Sequence, residues 1–235
     1  MLSPPTIAQP TFIGGKYRIL RPLGSGAWGT VYEAEHGWTH QRVALKLLRP
    51  EHSSNREVAL RFIAEARAAS RVSHPSVVRV LDVGEDADTG ALYIVQDLLE
   101  GFDLGRMLDR EKRLAPHDAL DILLPAMGAL VALHRAGVVH RDLKPSNLFL
   151  ARHPERGLVP TVIDFGVARL IDGSGSIRTL TGELGTPEYM APEQVRGETD
   201  VDHRADVGHR RDALRVHRGA HPSLAPTSRR RSSTC

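Results

Sequence analysis

Cysteine is nearly missing from this chain: of its 235 residues only the last, Cys235, carries a thiol. An internal disulfide and a cysteine metal cluster are both excluded, and the composition suits a reducing, cytoplasmic setting. Aromatic residues make up only 5%, which leaves little material for a base-stacking surface. No basic N-terminal stretch runs into an apolar core, so no signal peptide is expected. The most apolar stretch, Ala119 to Leu133, is interrupted by Asp121 and Pro125, which argues against a membrane span. The net charge of +3 is unevenly placed: from Gly208 onward seven arginines face one acid, Asp212, so the tail carries +6 and residues 1–207 carry −3. A mildly acidic body, with arginines that lack aromatic neighbours, gives no nucleic-acid footprint. What remains is ordinary for one large globular domain or two small lobes, with 41% hydrophobic and 25% charged residues.

The most informative stretch is His140-Arg141-Asp142-Leu143-Lys144-Pro145-Ser146-Asn147, a polar loop between apolar Gly137-Val138-Val139 and Leu148-Phe149-Leu150. Asp142, Lys144 and Asn147 supply a proton acceptor, a cation for phosphate and a neutral oxygen ligand for a metal. Phosphoryl transfer needs those three parts. Any one of them alone would read as part of an exposed turn. Together the octapeptide matches H-R-D-L-x-x-x-N and resembles the catalytic loop of eukaryotic-type protein kinases, with Lys144-Pro145 pointing to the serine/threonine branch.

The rest of the chain can be placed around that loop. Residues 1–13, with Pro4, Pro5 and Pro10, read as a flexible leader, and folding is expected to begin near Tyr17. Gly24-Ser25-Gly26-Ala27-Trp28-Gly29-Thr30-Val31 fits G-x-G-x-x-G-x-V, whose glycines let backbone N–H groups approach phosphate oxygens. A dinucleotide fold would continue into a helix, whereas here a strand-like segment, Thr30 to Glu35, follows. In Arg42 to Leu48, alternation puts Ala44 and Lys46 on one face and Val43, Leu45 and Leu47 on the other. A helix from about Asn55 to Arg71 places Val58, Phe62, Glu65 and Ala69 on one face. A carboxylate on that stripe needs a cation, and Lys46 is the candidate. Glu57, paired at i+4 with Arg61, reads as a surface ion pair. Two extended segments follow, Val77 to Val83 and Ala91 to Leu98. Asp118 to Arg135 has helical apolar spacing, with Pro125 a local conflict inside it. Thr161-Val162-Ile163-Asp164-Phe165-Gly166 reads as a buried strand ending in a carboxylate. With Asn147 it offers oxygen ligands suited to Mg²⁺.

Taken together, residues 17–207 resemble bacterial serine/threonine kinases of the eukaryotic type. The resemblance implies an α+β, bilobal fold, with a five-stranded antiparallel N-lobe (17–99) and an incomplete helical C-lobe (100–207). It implies ATP and Mg²⁺ as cofactors, protein substrates as partners and a possible kinase dimer. Lys46 would hold the α- and β-phosphates and pair with Glu65. Asp142 would take or orient the substrate hydroxyl proton beside Lys144, while Asn147 and Asp164 would hold the metal. The nucleotide set would comprise Leu23, Gly24, Ser25, Gly26, Ala27, Trp28, Gly29, Val31, Ala44, Lys46, Gln96, Asp97, Leu99, Asp103 and Phe149. Of these, Gln96 would guard the back of the adenine pocket and the backbone of Asp97 to Leu99 would bond the base. Asp103 reads equally as a ribose contact and as a helix cap. Residues 167–190, leading into Ala191-Pro192-Glu193, resemble an activation segment, with Thr179 and Thr181 as phosphoacceptors.

Beyond Val207 the resemblance stops. Residues 208–235 are basic and lack apolar periodicity, which reads as disorder. Codons can be chosen for Gly208 to Gly219 such that reading one base later gives Ala-Ile-Gly-Val-Met-Leu-Tyr-Glu-Cys-Ile-Ala, an apolar helix of the kind expected there. A frame shift after Val207 is therefore expected, and with it an unpartnered central helix, apolar surface prone to aggregation and weak activity. Two other readings stand beside the kinase: a non-catalytic remnant that binds nucleotide or a partner kinase, and a small-molecule phosphotransferase, which Lys144, Gly166 and the activation segment disfavour. Full-length relatives of such a chain are expected to include membrane-anchored proteins.

Overall fold

Alternating apolar side chains between Phe12 and Asp97 are gathered into one antiparallel sheet. Its strands are β1 (Phe12–Ile13), β2 (Tyr17–Ser25), β3 (Gly29–His36), β4 (Arg42–Leu48), β5 (Val80–Glu85) and β6 (Leu92–Asp97), in the order β1-β2-β3-β4-β6-β5. The computed structural model describes residues 12–26, 29–49, 56–140 and 142–164.

The sheet has six strands where five were expected, and its first strand starts at Phe12, inside the stretch read as a flexible leader. Phe12 and Ile13 pair with Arg18 and Tyr17. Gly14 and Gly15, both at positive φ (59° and 63°), turn the chain back on itself. The Gly14 N–H then donates to Asp86 Oδ2 at 2.8 Å, fastening the turn to the β5–β6 connection. Asp86 Oδ1 also accepts from the Thr89 N–H (3.0 Å) and hydroxyl (2.7 Å).

Burial of Asp86 works to raise its pKa, but the donors from Gly14, Thr89 and Asp88 outweigh that and hold the carboxyl below the usual range. A folded value below the unfolded one contributes stability that is full above the ordinary carboxylate pKa and is lost as pH falls through the folded value. Asp86→Asn is expected to destabilise the fold by about 1–3 kcal/mol at neutral pH. The deficit should shrink as melts are taken into the acid range, where the carboxylate of the parent is itself neutralised.

The two faces of the sheet differ. On one, Ile13, Tyr17, Ala34, Val43, Leu45, Tyr93 and Val95 make a closed apolar cluster. Against the other lies helix α1 (Arg56–Ala69), whose Phe62, Ala66 and Ala69 pack with Leu48, Leu92 and Ile94. Pro22 is accommodated late in β2, next to a register shift and beyond the pairing with β1, where a missing N–H costs no ladder bond on that side.

After Asp97 the described residues form two helices and a second, smaller sheet. Strand β7 (Gly101–Asp103) leads into helix α2 (Leu104–Glu111) and then helix α3 (Pro116–Arg135), with Pro116 in the first turn. Strands β8 (Leu148–His153) and β9 (Gly157–Val162) complete a second sheet in the order β7-β8-β9. Helix α3 runs unbroken through Pro125. It buries Ala119, Ile122, Ala126, Ala129, Leu130 and Leu133 in the cluster that also holds Leu148, Leu150 and Val162.

The opposite face of α3 is apolar too, and there Leu120, Leu124, Met127 and Val131 are exposed at 54%, 61%, 56% and 48%. An unpartnered central helix was expected from the sequence after Val207, which lies outside the described residues. Contrary to the exclusion drawn from Asp121 and Pro125, α3 is long and apolar enough to cross a membrane by length and composition alone, with a mean hydropathy of 1.3. A core helix that packs on one face and is apolar all round passes the same measure.

The segment after α1 ties the two parts of the molecule. Val77 forms an isolated parallel bridge with Val162; the Val78 N–H donates to the Val162 carbonyl (3.0 Å), and the Val162 N–H donates to the Ser76 carbonyl (2.8 Å). The strand expected to start at Val77 therefore begins only at Val80.

Candidate active site

Strand register sets the roof of the site. Val31 lies opposite Lys46, Lys46 opposite Ile94, and Ala44 opposite Gln96. Cross-strand partners share a face, so Val31, Ala44, Lys46 and Gln96 stand together on the side away from the closed apolar cluster. The expected face pattern of β4 is thus present. The glycine hairpin hangs from the same strands: Gly24 pairs with Val31, Ser25 with Thr30, and the Gly26 N–H donates to the Gly29 carbonyl at 2.9 Å. A side chain on Gly29 would run into the Leu47 carbonyl, whereas Gly24 and Gly26 have open space beside them. Leu23 is 40% exposed just before this turn. Ala27 and Trp28 lie outside the described residues.

The loop from Val138 to Asn147 is fixed by its own polar groups. His140 is fully buried; its Nε2 sits 2.9 Å from the Ile163 carbonyl, and its Nδ1 accepts the Asp142 N–H at 3.3 Å. A carbonyl only accepts, so Nε2 carries the proton and the ring is held as that tautomer. Pro145–Asn147 forms a single 3₁₀ turn, closed by the Asn147 N–H on the Lys144 carbonyl at 2.9 Å. Within it the Lys144 ammonium lies 2.8 Å from Asp142 Oδ2. The buried Asn147 carboxamide donates from Nδ2 to the Asp142 carbonyl (2.7 Å) and to Asp142 Oδ2 (3.1 Å). The amino end of the carboxamide is thus taken up inside the loop, which leaves the carbonyl oxygen as its ligand atom.

Asp164 is brought to this loop by the β8–β9 hairpin. Leu148 pairs with Val162, and the Ile163 N–H donates to the Asn147 carbonyl at 3.0 Å. Asn147 and Asp164 therefore stand at the same end of adjacent strands. Asp164 takes φ +57°, a conformation that non-glycine residues adopt at a cost of about 1–3 kcal/mol and keep where the surroundings hold it. Its Oδ1 receives the Lys46 ammonium at 2.7 Å, joining the two sheets across 118 residues of sequence. Withdrawal from water works to raise the Asp164 pKa. The Lys46 charge and hydrogen bond, with smaller help from His140 and Lys144, outweigh it and hold the carboxyl below its usual range.

The remaining expected residues fall as follows. Glu65 sits on α1 in the turn between buried Phe62 and Ala69, but its side chain lies outside the described part, so the Lys46–Glu65 pair stays an expectation. Gln96 and Asp97 end β6, and half-buried Leu99 packs against the main core. At Asp97 the N–H is already used, donating to the Arg79 carbonyl at 3.1 Å. Asp103 caps α2: its Oδ1 accepts the Arg106 N–H at 2.9 Å and its Oδ2 lies 3.1 Å from Arg106 Nε. The cap is the reading the geometry shows. Phe149 is half-buried in β8, opposite Asp103 and Thr161. Thr179 and Thr181 lie outside the described residues. The bonds of His140, and the grip of Arg79 on Asp97, were not foreseen. Only the adjacency of His140 to Asp142 hinted at the first.

Comparison with known proteins agrees with this arrangement. The protein kinase domain family matches residues 17–207. The serine/threonine-protein kinase pkn2 of Myxococcus xanthus is 40% identical over 88% of this chain, and PkaB of Streptomyces coelicolor is 42% identical over 79% of it. The chain spans 24% and 44% of the length of those two relatives. The crystal structure of the PknI kinase domain of Mycobacterium tuberculosis superposes with a TM-score of 0.67 at 33% identity, covering 86% of this chain and 73% of the other. With its glycine hairpin, its Lys46–Asp164 pair and its Asp142–Asn147 loop on one two-lobed frame, the chain belongs to the protein kinase family.

Proposed function

We propose that this chain is the catalytic domain of an ATP- and Mg²⁺-dependent protein serine/threonine kinase. The observation that carries the reading is the convergence of Lys46, Asp142, Lys144, Asn147 and Asp164, fixed together by the Lys46–Asp164 ion pair and the Ile163-to-Asn147 backbone bond. The donor set fits the metal: an ionised carboxylate and a carboxamide oxygen are hard ligands of the kind Mg²⁺ takes alongside phosphates and water. Bound there, the ion would neutralise charge on the triphosphate.

The chain's own groups do the rest. Lys46 is assigned to the α- and β-phosphates, beside the hairpin formed by Gly24, Ser25 and Gly29. Asp142 Oδ2 is engaged by Lys144 and Asn147, and Oδ1 is assigned to the substrate hydroxyl. As the hydroxyl oxygen bonds to the γ-phosphorus, the bridging bond between γ-phosphorus and oxygen breaks, ADP leaves, and the hydroxyl proton passes to Asp142. Lys144 neutralises charge beside that transfer. Gln96, the Asp97 carbonyl and Leu99 are assigned to the adenine edge, with Val31, Ala44 and Phe149 against the ring faces. Protein hydroxyls are the substrate class, Thr179 and Thr181 among them, and the cytoplasm is the setting.

Incubation of the purified chain with γ-labelled ATP, Mg²⁺ and a basic protein substrate is expected to label serine and threonine. Mass spectrometry should find phosphate on Thr179 or Thr181. A melting temperature raised by ATP with no label transferred at any enzyme concentration would instead identify a nucleotide-binding remnant.

A further inference from the structure

Residues 76–79 are attached at both ends to parts of the candidate site. At one end, Ser76 and Val78 make backbone bonds to Val162, two residues before Asp164. At the other end Arg79 grips Asp97, the residue that opens the segment assigned to adenine. Arg79 Nε donates to Asp97 Oδ2 and Nη2 to Asp97 Oδ1, both at 3.2 Å, and the Arg79 carbonyl accepts the Asp97 N–H at 3.1 Å. On its other side Asp97 is paired with Val43 of β4.

We propose that 76–79 is a brace that sets the adenine-binding edge relative to the metal carboxylate, with Arg79 as its positioning residue. An isolated exposed ion pair contributes little, but a planar guanidinium meeting both oxygens of one carboxylate fixes orientation as well as distance. With the backbone bond added, Asp97 is held at its N–H and both carboxylate oxygens, and its pairing with Val43 on the other side limits how far the following carbonyl can turn before any ligand arrives. Nucleotide recognition then loses less freedom on binding. The brace touches nothing assigned to the phosphates, so its influence falls on the base.

This inference rests on the nucleotide-site reading above, and the test separates the two. Dissociation constants of MgADP, MgGDP and magnesium tripolyphosphate are measured by calorimetry on the parent chain and on Arg79→Ala, Arg79→Lys and the exchange Arg79→Asp with Asp97→Arg. In Arg79→Ala, MgADP is expected to bind about 3- to 5-fold more weakly and to lose discrimination over MgGDP, the upper end of what an exposed ion pair contributes. Arg79→Lys keeps the charge without the fork and should fall in between, and the exchange should restore ADP binding. Tripolyphosphate, which has no base, should bind all four proteins alike. Equal weakening of ADP and tripolyphosphate would show a general loss of structure and overturn the brace. Unchanged ADP binding in Arg79→Ala would overturn it while leaving the nucleotide site standing. Failure of the parent chain to bind MgADP would overturn both.

Discussion

Asp142→Asn is expected to lower phosphate transfer by about 10²–10⁴-fold, the range general-base groups contribute, while MgADP still binds. The substitution preserves shape but replaces the proton acceptor with an amide. Lys144 Nζ and Asn147 Nδ2 both donate to Oδ2, so the two contacts survive only with the amide oxygen in that place. Placed as the oxygen, the new carboxamide still receives them but offers an N–H where the substrate hydroxyl is to be received. Single-turnover transfer and calorimetric ADP binding, measured on one preparation, check the two halves of the expectation. Transfer within tenfold of the parent would remove Asp142 from the chemistry.

Lys46→Met should cost about 10- to 100-fold in kcat/KM for ATP, from the roughly 1.5–3 kcal/mol typical of a hydrogen bond to a charged group. Its effect on pH dependence is more diagnostic. In the parent, burial pushes the Asp164 pKa up and Lys46, the largest opposing influence, brings it below the usual carboxylate range. A depressed value keeps the carboxylate ionised down to low pH, and the function it supports fails only as pH falls through that value. Removing the Lys46 charge leaves burial as the largest influence, so in the protein free of metal and nucleotide the Asp164 carboxyl should titrate at higher pH, as carboxyl NMR would read. An unmoved titration in Lys46→Met would show that the pair does not control the ionisation of Asp164. The same substitution leaves the tautomer-fixed His140 and its bonds to Asp142 and Ile163 untouched, so the catalytic loop itself should keep its geometry.

Much of this site could be read along the chain because its chemistry is carried by contiguous segments. Asp142, Lys144 and Asn147 share one tight turn, and Asp164 ends the strand that pairs beside it, so local spacing already specifies their relation. Alternation along β4 was enough to separate Lys46 from Val43 and Leu45. Contacts set by the register of distant strands were not legible. Nothing in the sequence around Arg79 points to Asp97, because their meeting depends on how β5 lies beside β6, including a register shift between Val80 and Asp82. The strand at Phe12–Ile13 is not legible in the sequence for a similar reason. Phe12–Ile13 is too short to show periodicity, and it is held as a strand by a Gly14 turn fastened to Asp86, 72 residues away. Capping and ligand contact favour the same residue type, so the sequence alone gives Asp103 two roles, and the Arg106 geometry shows the first.

The account depends on five side chains acting on one triphosphate and its metal. A crystal structure of the chain with Mg²⁺ and a non-hydrolysable ATP analogue tests that directly. The ion is expected between the Asn147 carbonyl oxygen and the Asp164 carboxylate, at roughly 2.0–2.1 Å from each, with Lys46 on the α- and β-phosphates and the base against residues 96–99. A nucleotide seated away from the glycine hairpin, or a metal bound without Asp164, would contradict the assignment.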